Sequence, residues 1–337
     1  MKEIDLSIGA PTELVSDAVL SELTKARWQV GYPLAAGSER FNSAVVTWAK
    51  ELLELEITQQ QVMPVSGAKE FVGTLPWLLG LDETSTIAIP ELSYPTYFDG
   101  ASATNSQVVR YRSPAELVIA KNIDLLWINS PNNPTGKILN EAELTALLQI
   151  AKEKQAVVVS DETYLETAIE NQAVSALQLG FKLNHSKVIG LYSLSKRNSL
   201  AAFRVGYAIG DEKLISELIS ARRKLGLLPN SPATEVASEL LKDFSYPKKI
   251  RDQFNERRAT LLPSLLELGF TNYSPGGMFL WLSNGEPGQV VVERFEKLKI
   301  KVAPGSWYGP TGENFVRISL TLDQETTIEV TKRLKEF

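Results

Sequence analysis

The chain has 337 residues, of which 44% are hydrophobic and 22% charged, a composition typical of a folded globular protein and not of a disordered one. Its formal net charge is −5, and no run of lysine and arginine is longer than 222–224, so we expect no nucleic-acid partner. Because the chain has no cysteine, disulfides, thiolate nucleophiles and cysteine-based metal sites are excluded.

Neither a leader peptide nor a membrane segment is predicted. The first residues, MKEIDLSIGAPTE, lack a basic region followed by an apolar core, and no stretch approaches the roughly 20 apolar residues that cross a bilayer. We therefore expect a cytoplasmic protein with no membrane partner.

Short apolar runs alternate with helix-like amphipathic stretches through the first two thirds of the chain. This alternation predicts an α/β fold. The runs are apolar along their length and not only at every second residue, which indicates strands of a mostly parallel sheet with helices on both faces. The predicted strands are 86–90, 107–111, 123–129, 156–160, 187–192 and 205–209.

After about residue 225 the pattern changes to long helices and isolated strands. We predict a helix over about 248–268, strands at 278–282, 301–303 and 315–320, and a closing helix over 324–337. The length of the chain also favours more than one domain. The predicted organisation is a large domain over 31–230, a small α+β domain over 231–337 including the linking helices, and a segment 1–30 that contributes to the small domain and the active site.

Three predicted strands end in residues that can carry chemistry. The run 123–129 is followed by SPNNPTG, 156–160 by DETY, and 187–192 by SLSK. Ligands of open parallel sheets bind beyond the carboxyl ends of the strands, so we expect these segments to meet at one rim.

Lys196, in SLSK, follows an apolar strand. Burial lowers the pKa of an ammonium group and makes the amine a better imine-forming nucleophile, although an ordinary surface lysine in a turn is the alternative. An acid of DETY, at the end of the neighbouring run, could keep a pyridine nitrogen protonated, and a nearby asparagine and tyrosine could hydrogen-bond a phenolic oxygen, as pyridoxal phosphate (PLP) requires. The combination favours a PLP site.

A phosphate-binding turn is predicted at 66–70, SGAKE, where a glycine precedes an amphipathic helix. Free backbone N–H groups at a helix N-terminus bind anions, and hydroxyl and guanidinium groups would add donors. A strand-to-helix turn without a ligand is the alternative. The candidate phosphate-binding residues are Gly67, Ala68, Lys69, Ser193, Ser195 and Arg204.

The motifs SPNNPTG, SDETY, SLSKR followed by FRVGY, and FVRISL stand in this order over nearly the whole chain. They resemble the class I/II aminotransferases of PLP fold type I, which have a large three-layer αβα domain and a smaller α+β domain. The resemblance implies that Lys196 forms a Schiff base with the cofactor aldehyde and that Asp161 binds the ring nitrogen. It also implies that Asn133 and Tyr164 bind the phenolic oxygen. The phosphate would be bound by Ser193, Ser195, Arg204 and the backbone N–H groups of Ala68 and Lys69.

Four further positions follow from the same resemblance. Tyr94 would stack on the pyridine ring, with a core residue beside Pro95 as the alternative. Arg317, with Gly9 and Asn133 nearby, would bind the α-carboxylate of the substrate, and a structural salt bridge is the alternative. Tyr32 would reach the phosphate of the neighbouring subunit, which implies a homodimer with shared active sites.

The resemblance also implies a ping-pong amino transfer between an amino acid and a keto acid. In more detail, GYPLAAGSERF, PELSYPTYFDGA and SLSKRNSLAAFRVGYAIGD resemble the actinobacterial-type N-succinyldiaminopimelate aminotransferases, which act in lysine and peptidoglycan-precursor synthesis and would use 2-oxoglutarate as acceptor. The chain departs from them by starting almost at LSIGAP, without an N-terminal arm, and by the run 201–203.

Other functions stay open at this point. The substrate could be aspartate, an aromatic amino acid or another amino acid, and a PLP lyase or decarboxylase would share the lysine and the aspartate. A PLP-sensing regulatory module would need a DNA-binding domain, for which no segment is predicted. The single histidine, His185, lies just before a strand and is interpreted as a surface residue, so no metal site is predicted.

Overall fold

The structure is a computed structural model, and it describes residues 2–11, 17–25, 31–168 and 173–337. The strands are β1 (Ile4–Asp5), β2 (Val62–Val65), β3 (Thr86–Pro90), β4 (Gln107–Tyr111), β5 (Leu125–Asn129), β6 (Val157–Asp161), β7 (Val188–Ser193), β8 (Gly206–Gly210), β9 (Thr271–Asn272), β10 (Phe279–Ser283), β11 (Ile300–Lys301), β12 (Ala303–Pro304) and β13 (Val316–Ser319).

The α-helices of the described residues begin and end as follows: α1 (Asp17–Lys25), α2 (Glu39–Leu53), α3 (Ala68–Leu78), α4 (Pro95–Ala103), α5 (Pro114–Val118), α6 (Glu141–Glu153), α7 (Ala176–Lys182), α8 (Leu194–Arg197), α9 (Glu212–Lys224), α10 (Ser231–Leu240), α11 (Ser245–Glu267), α12 (Gly288–Lys297) and α13 (Gln324–Arg333). Several begin at a side-chain cap, as at α6, where Asn140 and Glu143 form a reciprocal capping box.

A seven-stranded sheet forms the centre of the larger part, in the order β2-β8-β7-β6-β5-β3-β4. Only β8 runs antiparallel to its neighbours, β2 and β7. The register sets Asn129 beside Asp161 and Asp161 beside Leu191, so β5, β6 and β7 end at the same edge. The predicted mostly parallel sheet is confirmed.

Both faces of this sheet are buried, because neighbouring residues of one strand enter different cores. Ile128 packs in the core under α2, α6, α7 and α10, while Trp127 packs in the core under α3, α4 and α9. Burial on both faces explains why the strands read as continuous apolar runs.

The remaining strands form a second, smaller sheet in the order β12-β13-β10-β9, while β1 pairs in parallel with β11. The hydrophobic core beside this smaller sheet contains residues of α11, α12 and α13, such as Phe254 and Phe295. It also contains Ile4 and Leu6 from the start of the chain. Helix α10 packs instead against the first core, through Val236. The domain boundaries themselves stay a prediction.

The sequence located the elements closely but missed details. The predicted helix at 248–268 begins earlier, at Ser245, and the closing helix ends at Arg333, followed by a 3₁₀ turn at Leu334–Glu336. In the described part of the chain, no helix is long and apolar enough to span a membrane.

His185 is not the surface residue that we predicted, since its side chain is only 5% exposed. The turn after α7 folds back, with the N–H of His185 donating to Gly180 O at 2.9 Å and that of Lys187 donating to His185 Nδ1 at 3.3 Å. Burial lowers the pKa of the imidazole, with Lys152 and Lys187 adding to the effect. His185 is therefore buried, and it does not line the cavity described next.

Candidate active site

A cavity of about 550 Å³ lies at the carboxyl edge of β5, β6 and β7, a size usual for small-molecule sites. It is lined by the following predicted site residues: Gly9, Ala68, Lys69, Tyr94, Asn133, Asp161, Tyr164, Ser193, Ser195, Lys196, Arg204 and Arg317. Gly67 directly precedes Ala68 and contacts Arg204. Tyr32 is not among the lining residues, and its side chain is 93% exposed.

Lys196 lies in the short helix α8, immediately after β7. The hydroxyl of Ser193 caps this helix by accepting the N–H of Ser195 at 3.1 Å, and the Lys196 amine donates to Gly9 O. Burial lowers the pKa of Lys196 to about 8, and the positive charges of Arg317 and Arg204 act in the same direction. Its amine is therefore neutral, and nucleophilic, far more often than that of an ordinary lysine.

Asp161 is the last residue of β6, and its side chain is buried at the cavity wall. Its Oδ2 accepts the hydroxyl of Tyr97 at 2.7 Å, and its Oδ1 accepts the N–H of Thr163 at 3.2 Å. Burial raises the pKa of this carboxyl group, while these hydrogen bonds oppose the rise because they favour the charged form.

A hydrogen-bond network joins the loop after β5 to the neighbouring strand. Asn129 donates to Asp161 O at 2.9 Å and to Pro131 O at 3.1 Å, and its Oδ1 accepts the N–H of Asn133 at 2.8 Å. The Asn133 side chain in turn accepts Nη1 of Arg317 at 2.7 Å. Asn129 thereby fixes the position of Asn133 against the strand that carries Asp161.

Arg317 lies in the middle of β13 and is 5% exposed. Its guanidinium lies 4.3 Å from the ring centroid of Phe279 and 5.0 Å from that of Tyr308, and Nη2 donates to Ser7 O. No acidic side chain of the described ranges pairs with it, and its buried Nε has no hydrogen-bond partner there. An arginine in this state suits an incoming anion.

The turn before α3 has the geometry of an anion site. Gly67 has a φ of +82°, and a Cβ added there would lie 2.3 Å from Arg204 Nη2. Arg204 itself has a φ of +54° and donates to Ala201 O at 2.9 Å. The guanidinium therefore lies against the start of α3, whose first N–H groups have no intrahelical acceptor.

Comparison with known proteins identifies the family. The family model for aminotransferase class I and II matches residues 1–334. A probable aminotransferase of Mycobacterium tuberculosis is 35% identical over 334 residues, covering 98% of this chain and 80% of that protein. The 4-dedimethylamino-4-oxo-anhydrotetracycline transaminase of Streptomyces rimosus is 33% identical over 333 residues, covering 98% and 92%.

This chain belongs to the class I and II aminotransferases.

A solved structure supports the same assignment at the level of the fold. A probable N-succinyldiaminopimelate aminotransferase of Thermus thermophilus superposes with a TM-score of 0.89 at 25% identity, covering 99% of this chain and 95% of that chain. PLP fold type I, the predicted fold class, is confirmed. Enzymes of this family depend on PLP, so this aminotransferase is a PLP-dependent transferase.

The cavity of this aminotransferase fits PLP chemically. It presents a lysine of lowered pKa for the aldehyde, a buried carboxylate for the ring nitrogen, and hydroxyl, guanidinium and helix N-terminal N–H donors for the phosphate. Arg317, which the smaller sheet brings to the cavity, adds a buried positive charge suited to a substrate carboxylate. In the described part of the chain, no group of three potential ligand residues could hold a metal ion.

Sequence reasoning missed several residues at this site. Asn129 ends the predicted strand 123–129, so its position at the rim could have been noticed. Phe279, Trp307 and Tyr308 also line the cavity, but they come from β10 and the turn before β13, which only tertiary packing brings near Lys196. Tyr97 contacts the lining residue Asp161 but does not itself line the cavity, and no motif in the sequence indicated this contact.

Proposed function

We propose that this aminotransferase moves the amino group of N-succinyl-LL-2,6-diaminopimelate to 2-oxoglutarate, with PLP bound at Lys196. The proposal rests on three groups that line one cavity. They are Lys196, whose pKa is lowered, the buried carboxylate of Asp161, and the guanidinium of Arg317, which no carboxylate side chain of the described residues pairs with. These are the three groups that transamination of an α-amino acid needs.

In this proposal the residues at the carboxyl edge of the large sheet bind the cofactor. Asp161 holds the proton of the ring nitrogen, Asn133 and Tyr164 donate to the phenolic oxygen, and Tyr94 covers the ring. Ser193, Ser195, Arg204 and the N–H groups of Ala68 and Lys69 bind the phosphate. When bound, PLP supplies an electron-withdrawing ring that makes the Cα proton of the substrate acidic.

Lys196 then has two tasks. Its Nζ would hold the cofactor through the aldehyde carbon in the resting enzyme. When the substrate amine takes that place, the free Nζ would accept the proton of the substrate Cα, hold it, and donate it back to the cofactor-bound substrate. Its low pKa suits both tasks, because a protonated lysine can neither bond nor accept a proton.

Arg317 positions the substrate. Its guanidinium would grip the α-carboxylate through two parallel hydrogen bonds, with Gly9 and Asn133 beside it, and so fix the direction of the Cα–H bond toward Lys196. Phe279 and Tyr308 on its faces hold the guanidinium in one plane.

Two observations support the succinylated substrate. Two of the segments that resemble N-succinyldiaminopimelate aminotransferases, 90–101 and 193–211, contribute residues to the cavity lining. A Thermus thermophilus structure bearing that description shares the fold at 25% identity. The Streptomyces rimosus relative is described as acting on a tetracycline, so aspartate, aromatic or other amino groups remain alternatives, and a lyase or decarboxylase a less favoured one.

The proposal includes a cytoplasmic homodimer with shared active sites, in which residues 31–230 form the cofactor-binding domain and residues 231–337 the small domain. Residues 1–30 contribute to the small domain and the active site. Tyr32 would reach the phosphate in the neighbouring subunit. Its side chain is 93% exposed, so it is available to such a partner.

The test is the visible spectrum of the PLP-loaded protein while single amino donors are added without an acceptor. N-Succinyl-LL-2,6-diaminopimelate and glutamate should convert the band of the lysine-bound cofactor to that of its amino form, whereas aspartate and an aromatic amino acid should hardly change it. Conversion by aspartate alone would replace the substrate assignment. A bound cofactor that no donor converts would contradict transamination at this site.

A further inference from the structure

A tyrosine behind the cavity contacts the residue proposed to bind the cofactor ring. Tyr97 lies in α4, is fully buried, and donates its hydroxyl proton to Oδ2 of Asp161 at 2.7 Å. It does not line the cavity. Tyr97 can therefore influence a ligand only through the cavity residues that it contacts, and Asp161 is the one to which it hydrogen-bonds.

Packing holds the phenol in place. The Tyr97 ring stacks on Trp127 of β5, with centroids 4.8 Å apart and planes 17° apart, and it meets Tyr94 edge to face at 6.0 Å. Trp127 is itself fully buried between the sheet and α4. Because both neighbours restrict the ring, its hydroxyl has one position, and that position is on Asp161.

The proton of this pair belongs to the tyrosine. Burial raises the pKa of Tyr97 well above its ordinary value, and the nearby Asp161 charge raises it further. Burial also raises the pKa of Asp161, and the hydrogen bond from Tyr97 is the first effect that opposes this rise. Without the phenol, the carboxyl group would lose the strongest interaction that favours its ionised form.

The other groups around Asp161 do not replace that bond. Of the described residues, the titratable groups that face it are Tyr97 from α4, Tyr164 from the loop after β6, and Lys196 from α8. Burial keeps Tyr164 protonated, so it brings no positive charge, and the charge of Lys196 favours the ionised form of Asp161 less than the hydrogen bonds of Tyr97 and Thr163 do. Thr163 supplies the remaining donors, its side-chain hydroxyl and its backbone N–H, the latter at 3.2 Å from Oδ1.

We propose that Tyr97 is a positioning residue that keeps Asp161 ionised and fixed toward the ring nitrogen of the cofactor, an inference that rests on the proposed function. An ionised Asp161 holds the ring nitrogen protonated, and a neutral one cannot do so. The strength of cofactor binding, and its dependence on pH, therefore depend on a hydroxyl that never touches the cofactor.

The chain contains a matched control for this bond. Glu162, next to Asp161, accepts the hydroxyl of Tyr192 at 2.8 Å, also in a buried bond. Tyr192 belongs to the core on the opposite face of the sheet, and neither residue lines the cavity. Tyr192→Phe thus removes the same atom from the same kind of bond while leaving Asp161 untouched.

The experiment measures the PLP dissociation constant of the cofactor-free protein between about pH 5 and pH 8 for the wild type, Tyr97→Phe and Tyr192→Phe. Tyr97→Phe should bind PLP about tenfold more weakly at about pH 7, the usual effect of losing one hydrogen bond to a charged group. Its affinity should also begin to fall at a higher pH than in the wild type, because Asp161 is then protonated more easily. Tyr192→Phe should keep the wild-type profile.

Two further samples complete the test. In an Asp161→Asn background, adding Tyr97→Phe should cause no further loss of affinity, since the carboxylate on which the phenol acts is gone. Should Tyr97→Phe not fold, 3-fluorotyrosine placed at position 97, a stronger donor, should move the loss of affinity to lower pH.

The outcomes separate this inference from the proposed function. A wild-type protein that does not bind PLP would overturn the proposed function. A wild type that binds PLP, with Tyr97→Phe or the fluorinated protein giving the same pH profile, would overturn the role of Tyr97 alone. An equal shift in Tyr192→Phe would also overturn it, because the effect would then follow from lost core stability.

Discussion

Lys196 combines burial with two neighbouring positive charges, and all three disfavour its protonated form. We expect the rate at which the cofactor-free protein bonds PLP to rise with pH and to level off above about pH 8, because the neutral amine is the nucleophile. The measurement is the appearance of the lysine-bound absorbance band after rapid mixing with PLP at a series of pH values. A rate that still rises near the pKa of an ordinary lysine would contradict the account, and Lys196→Ala should give no band.

Arg317 should matter to the substrate and not to the cofactor. Arg317→Lys keeps the charge but loses the planar, two-point grip and the contacts of the guanidinium with Phe279 and Tyr308. We expect kcat/KM for the amino donor to fall by about 100-fold, with the cofactor spectrum unchanged.

The control for Arg317→Lys is Arg223→Lys, which changes an exposed arginine of α9 in the same way. Steady-state kinetics of both variants with the same donor give the comparison. If both variants keep wild-type kcat/KM, Arg317 does not bind the α-carboxylate.

At the scale of elements, a buried ion pair ties the start of α3 to α9. Arg222, with 1% of its side chain exposed, donates to both carboxylate oxygens of Glu70 at 2.8 and 3.0 Å, and Glu70 also accepts the N–H of Ser66. Glu70→Gln should lower the free energy of unfolding by about 3 kcal/mol, because it leaves the Arg222 charge buried and uncompensated.

Urea unfolding of the cofactor-free protein measures that change. Glu56→Gln is the matched control, since the Lys50–Glu56 pair has the same 2.8 Å separation but side chains that are 60% and 80% exposed. It should leave the free energy of unfolding nearly unchanged, because water and salt screen an exposed pair. Equal losses in the two variants would show that the pair at α3 contributes no more than a surface pair.

The elements of the large sheet could be predicted because their burial leaves a local signature. Strands β3 and β4 match the predicted runs residue for residue, although Gln107 and Arg110 make β4 less apolar and less buried than β3. The prediction that His185 lies at the surface was wrong, because a single polar residue in a turn does not indicate how that turn folds back. Tyr97 was missed for a related reason, because its partner Asp161 lies 64 positions away.

In the candidate site too, residues at strand ends could be predicted from sequence, whereas contacts between distant parts of the chain could not. Asp161, Ser193 and Lys196 stand at strand ends, and the rule that such ends meet at one rim predicts their proximity from sequence. The contacts of Arg317 with Ser7 O and Asn133 span 310 and 184 positions, and no local pattern specifies them. For that residue, the resemblance to a family supplied what spacing could not.

For the whole molecule, the cavity exists only because separate parts of the chain converge. Asp161 and Lys196 come from the seven-stranded sheet, Arg317 and Phe279 from the smaller sheet, and Gly9 from the segment that follows β1. The backbone of Gly9 accepts the Lys196 amine, and a Cβ added at Gly9 would lie 2.9 Å from the Phe279 ring. The start of the chain therefore completes the site.

Borohydride reduction followed by peptide mass spectrometry tests most directly whether PLP is bonded to Lys196. Reduction of the PLP-loaded protein should fix one pyridoxyl phosphate group per chain on the peptide that contains Lys196. The label should be absent when the same treatment is applied to Lys196→Ala. A label on another lysine, or a folded, PLP-treated protein without any label, would contradict the account.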